Sequence, residues 1–139
     1  MLLTPKRWKY RKPIIKSLTG KSARGTTVAF GDYGLKATTS AYISNKQIES
    51  ARKVIVRSIK KVGKIWIRIF PDTPFTKKGL EMPMGTGKGD VDIYTAPVRK
   101  GKVLFEVSGL NAAEAHEVLI KASKKLPVKA RVVAKGEIR

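Results

Sequence analysis

The chain contains no cysteine. Disulfide staples and zinc–thiolate sites are therefore excluded, and a reducing compartment is compatible. His116 is the sole histidine, so it has no second histidine or cysteine with which to share a metal, and a packing or surface role on a helix is expected. No stretch approaches the ~20 consecutive apolar residues of a membrane span, and no internal repeat is present. Acidic side chains are also scarce. Ten Asp plus Glu stand against thirty Lys plus Arg, a formal charge of +20 on 139 residues. The first acidic residue is Asp32.

That shortage bounds the partner. A net charge of this size far exceeds what solubility requires. It destabilises the compact state by self-repulsion unless a polyanion neutralises it. The cations are spread along the length, so the polyanion should surround much of the protein. They are densest in residues 1–25, where Lys6, Arg7, Lys9, Arg11, Lys12, Lys16, Lys21 and Arg24 have no carboxylate for company. Trp8 and Tyr10 lie inside that run and can stack on bases, which favours nucleic acid over membrane. The segment holds too few apolar residues to order itself. Pro5 and Pro13 interrupt any long amphipathic helix there.

What remains can build one core. Residues 1–25 are expected to form a basic extended arm, and residues 26–139 a single α+β domain: two helices on an antiparallel or mixed sheet. Thr26–Phe30 and Leu35–Ile43 are predicted as strands around the turn Gly31-Asp32-Tyr33-Gly34. Ser44 and Gln47 make a capping box. The helix that follows should bury Ile48, Ala51, Ile55, Ile59 and Val62 and stop at Gly63. Its other positions carry Lys46, Arg52, Lys53, Arg57, Lys60 and Lys61. Lys64 to Phe70 alternates strictly. Ile65, Ile67 and Ile69 should face the core, with Lys64, Trp66, Arg68 and Phe70 on the opposite face. Residues 71–89, rich in Pro and Gly, are predicted as one long irregular loop. Strands at Val91–Val98 and Val103–Val107 follow, then a second helix capped by Asn111 and Glu114 with Ala115, Val118, Leu119, Ala122 and Leu126 inward. Pro127 ends it, before a last strand at Val128–Ala134.

No catalytic set emerges. Gly85-Thr86-Gly87-Lys88-Gly89 invites a phosphate-loop reading, but that pattern needs Ser or Thr after the lysine and a helix beyond it. Here Gly89 follows, and then a predicted strand. Glycines that let the backbone approach phosphates, with Lys88 as a point charge, suit a nucleic-acid backbone better. Asp72, Asp90, Asp92, Glu106, Glu114 and Glu117 are scattered. Asp90 and Asp92 share a strand face, as a metal pair would, but pairing with nearby lysines is expected instead. No metal and no cofactor are called for. Sequence-specific DNA readers usually show a helix-turn-helix, finger or zipper, and none is found here. A basic arm on a small α+β core suits a folded RNA. A nucleotide-dependent assembly enzyme and an architectural DNA protein are the competing classes.

The chain also resembles the bacterial-type large-subunit ribosomal protein sixteen family over almost its whole length. The likeness is carried by Thr4-Pro5-Lys6-Arg7, Tyr10-Arg11-Lys12, Phe30 to Ala37, Gln47 to Asp72 (above all Gly63 to Asp72), Met84 to Gly89, Gly101 to Glu106 and Lys125 to Lys129. It implies a non-enzymatic α+β sandwich of the cytoplasmic ribosome, bacterial or plastid-encoded in type. The expected seat is on large-subunit ribosomal RNA at the base of the central protuberance, beside aminoacyl-site tRNA and neighbouring ribosomal proteins. A role in late assembly and tRNA placement is implied, with peptidyl-site tRNA contact left open and neither DNA nor membrane as a partner. The arm is then the family's own and not a transit peptide. The implied ribosomal RNA contacts are Lys6, Arg7, Trp8, Lys9, Arg11, Lys12, Arg24, Arg52, Lys53, Arg57, Lys60, Lys64, Trp66 and Arg68. The implied tRNA-proximal tip is Met84, Gly85, Thr86, Gly87, Lys88 and Gly89. Many members carry arginine just before this Met-Gly; this chain has Pro83, so no modification of that arginine can occur.

Overall fold

A computed structural model of the chain describes residues 3–59 and 61–137. The elements run β1 (Tyr33–Ala37), β2 (Ala41–Ser44), α1 (Asn45–Ile59), β3 (Lys64–Ile67), β4 (Thr73–Lys77), β5 (Asp90–Val98), β6 (Val103–Ser108), α2 (Ala112–Ser123) and β7 (Ala130–Ala134). They form two sheets, ordered β3-β6-β1-β7 and β2-β5-β4. Every strand pair is antiparallel. The α+β expectation holds, with two sheets where one was expected. The split falls inside the predicted strand Leu35–Ile43. Thr38 to Ser40 separate β1 in one sheet from β2 in the other.

The helices begin where their side chains satisfy free backbone N–H groups. The Gln47 N–H donates to Ser44 Oγ at 3.3 Å, and the Ser44 N–H donates to Gln47 Oε1 at 3.0 Å. Asn111 and Glu114 do the same for α2, at 2.8 and 3.3 Å. Each cap stabilises by about 1 kcal/mol. Ile48, Ala51, Ile55 and Ile59 of α1 are buried, as are Ala115, Val118, Leu119 and Ala122 of α2. The helices pack on each other; α2 also lies on β1 and β7, and α1 on β2, β3 and β5. Leu35, Phe105 and Val107 complete the same core. Burying each large apolar side chain contributes roughly 1.5–3 kcal/mol. Val62, expected in the buried stripe, is exposed. The helix ends at Ile59, and the helical period no longer applies beyond it.

Two further expectations are corrected. Residues 71–89 are not one irregular loop, because β4 occupies Thr73–Lys77 and pairs with β5. Pro74 concealed it. A proline removes a ladder donor, but β4 lies at the edge of its sheet, where that donor is not needed. The irregular part is residues 78–89. Residues 26–30 are not a strand either. The N–H groups of Ala29, Phe30 and Gly31 donate to the Glu106 carboxylate at 3.2, 2.6 and 2.8 Å, and the Asp32 N–H donates to the Val107 carbonyl at 2.9 Å. A side chain thus satisfies the donors that a ladder would have taken. Gly31 is required there, since a Cβ would lie 2.6 Å from the Val107 carbonyl oxygen.

Candidate nucleic-acid interface

The arm lies against the three-stranded sheet and the turn after β5. The Ser22 N–H donates to the Lys100 carbonyl at 2.9 Å, and the Tyr42 hydroxyl donates to the Lys16 carbonyl. Further out, Lys12 is half-buried and pairs with Asp90 at 3.1 Å. Lys88 Nζ donates to the Pro13 carbonyl at 2.8 Å. The cation of the glycine loop is therefore turned towards the arm, and the arm is tied to the base of the loop. Lys6, Arg7, Trp8, Lys9, Tyr10, Arg11 and Arg24 are exposed. Lys9 Nζ stands 5.6 Å from the Tyr10 ring centre.

On α1, Lys53 and Arg57 are exposed. Arg52 is spent locally, donating to Glu49 through Nε at 2.9 Å and Nη2 at 2.6 Å. That hydrogen bonding holds the Glu49 carboxyl down at about 2. Lys60, a predicted contact, lies outside the described residues.

The face of β3 carries a feature missed in the sequence. Lys64 is exposed, and Trp66 and Arg68 are half-buried. Arg68 donates to the Glu106 carboxylate, and its guanidinium carbon lies 5.0 Å from the Phe30 ring centre. Phe30 and Trp66 stack with ring centres 6.4 Å apart and planes 20° apart. Burial pushes the Glu106 carboxyl upward. The hydrogen bonds from Gly31, Ala29, Arg68 and Phe30 outweigh that and hold it below the usual carboxylate range. A signal existed: Glu106 sits in the apolar run Val103-Leu104-Phe105-Glu106-Val107, where a carboxylate must find partners.

Residues 84–88 of the glycine-rich tip are exposed, and Gly89 is half-buried. Gly85, Thr86 and Gly87 adopt φ of 102°, 59° and 99°. Leu80, Met82 and Met84 are exposed beside them. Lys88 is followed by Gly89 and then by β5, a strand, so no helix opens from this loop. Among the described residues no group of His, Cys, Asp or Glu is placed to hold a metal, and no helix is long and apolar enough to cross a membrane.

The ribosomal protein L16p/L10e family profile matches residues 5–133. The chain belongs to this family. It is 50% identical over 137 residues, 99% of its own length and 95% of the relative's, to the large ribosomal subunit protein uL16 of Macrococcus caseolyticus. The same figures hold for the proteins of that name from Staphylococcus haemolyticus and Staphylococcus aureus strain Newman. A member of the L16p/L10e family with these relatives is a structural constituent of the large subunit of a bacterial-type ribosome in the cytoplasm, not an enzyme. The matched span takes in the arm from Pro5 onward, both helices and every strand except the last residue of β7, Ala134.

Proposed function

We propose that this chain binds large-subunit ribosomal RNA through its arm, the exposed face of α1 and the outer face of β3. The observation that carries the reading is the uncompensated charge. Ten carboxylates face thirty Lys and Arg, and several are already used inside the fold. Glu106 serves Arg68, Glu49 serves Arg52, Glu117 serves Lys121 and Asp90 serves Lys12. A field of that sign, carried on an irregular arm, suits a folded polyanion whose crevices the arm can enter. Lys6, Arg7, Lys9, Arg11, Arg24, Lys53, Arg57 and Lys64 are the phosphate contacts of this reading. Lys12, Arg52 and Arg68 act mainly by holding neighbouring parts in place.

In the same reading the tip Met84 to Gly89 reaches aminoacyl-site tRNA, at the base of the central protuberance beside other ribosomal proteins, and supports late assembly and tRNA placement. Its exposure and its freedom from the core support that role, because binding commonly falls to loops held on a rigid scaffold. Competition tests the RNA assignment. Purified chain bound to large-subunit ribosomal RNA should resist displacement by an equal mass of duplex DNA. Displacement by that amount of DNA would favour an architectural DNA protein instead.

A further inference from the structure

Phe30 is 60% exposed, yet its backbone is tied to a buried carboxylate. Its N–H donates to Glu106 at 2.6 Å, and the N–H groups of Ala29 and Gly31 on either side reach the same carboxylate. Glu106 itself is wholly buried. The ring is stacked with Trp66, and the Arg68 guanidinium lies over it. A lone exposed phenylalanine calls for no explanation. Two rings and a guanidinium fixed together at the surface of a polycation are a different case.

We propose that Phe30 and Trp66 form a preorganised stacking platform for one unpaired nucleobase, with Lys64 attracting the adjoining phosphate. The proposal rests on the RNA-binding reading and adds a base-recognising site to it. A base has an aromatic face that can extend the Phe30–Trp66 stack, and such stacking tolerates any sequence. The platform loses little freedom on binding, because the backbone beneath Phe30 is already anchored. Trp66 shares its face of β3 with Lys64, two residues away. The exposed Tyr10 of the arm is not held by the Glu106 carboxylate in this way.

The chain has two tryptophans, Trp8 and Trp66, so a Trp8→Phe background leaves Trp66 as a reporter inside the platform. In that background, a twelve-nucleotide oligoadenylate should bind about ten- to a hundredfold more tightly than polyphosphate of equal charge. It should also quench Trp66 emission, which polyphosphate should not. Adding Phe30→Ala should bring oligoadenylate affinity down to the level of polyphosphate while polyphosphate affinity stays put. Phe30→Leu, which keeps apolar bulk without the ring, should behave like Phe30→Ala. Unchanged oligoadenylate affinity in either variant, or equal losses for both ligands, would overturn the platform while leaving phosphate-driven RNA binding intact. Failure of the unsubstituted chain to bind either ligand at low salt would instead overturn the RNA reading itself.

Discussion

Arg68, just beyond the end of β3, and Glu106, in the middle of β6, form an ion pair in which the carboxylate is entirely shielded from water. The pair joins two parts of the chain. Glu106 also holds the backbone of residues 29–31, so Arg68, Phe30 and the four-stranded sheet become one unit. A cation that the alternation pattern assigns to an RNA-facing surface is thus largely engaged within the fold.

Removing Arg68 should therefore cost stability as well as binding. Taking one partner from a buried pair leaves an uncompensated charge, which typically destabilises by ~3–5 kcal/mol. Arg68 keeps some contact with water, so Arg68→Ala should cost roughly 3 kcal/mol, the low end of that range. Denaturant melts of the two proteins check this. Arg68→Lys should recover only part of the loss, because an ammonium cannot reproduce a planar guanidinium that reaches Glu106 and the Thr27 carbonyl while lying over the Phe30 ring.

Glu106 should make the fold acid-sensitive. Its folded pKa lies below its ordinary value. Its contribution is thus fully present above the unfolded value of about 4.3 and is lost as pH falls through the folded value. Glu49, held at about 2 by Arg52, acts in the same direction. Melting temperature should fall as pH drops below about 4.5, and Glu106→Gln should fall less steeply over that window while starting lower at pH 7. Parallel slopes for the two proteins would show that Glu106 carries no such linkage.

Two neighbours on α1 separate folding from binding. Ile55 is buried in the core and Arg57 is exposed. Ile55→Ala should cost roughly 2–5 kcal/mol of stability. Arg57→Ala should leave the melt nearly unchanged, weaken binding to ribosomal RNA and lower the salt slope by about one. Thermal melts and filter-binding titrations of both variants make the comparison.

The tip should matter to translation more than to folding. Gly89 must be kept, because a Cβ there would meet the Lys77 carbonyl at 2.8 Å and strain the start of β5. Replacing residues 85–88 with a Ser/Asn linker should leave the melting temperature close to unchanged and still permit incorporation into subunits. Aminoacyl-tRNA binding on purified ribosomes should fall. Normal tRNA binding and normal rates would reduce the tip to a plain connection.

Both helices and their caps were legible in the sequence, because capping boxes and helical spacing are local signals. Ile48 to Ile59 and Ala115 to Ala122 needed no knowledge of what they pack against. The strands at 91–98 and 103–107 were legible for the same reason. What escaped depends on partners distant in sequence. Residues 26–30 have strand composition, but their donors go to Glu106, some 76 positions away. β4 escaped because Pro74 is tolerated only at a sheet edge, and edge position is a property of the whole sheet. The surface cations were legible as a group. Their division between Arg57, which is exposed, and Arg68, which is engaged with Glu106, was not, since both belong to equally basic segments.

If the excess of cations serves to neutralise RNA phosphates, affinity for large-subunit ribosomal RNA should fall steeply between 50 and 200 mM salt. Displacing counterions from even ~6–10 phosphates should cost about three or more powers of ten across that range, and the +20 charge supplies ample cations to do so. A drop of that size is the expected result. Affinity that stays flat over the same range would show that phosphate neutralisation does not drive binding.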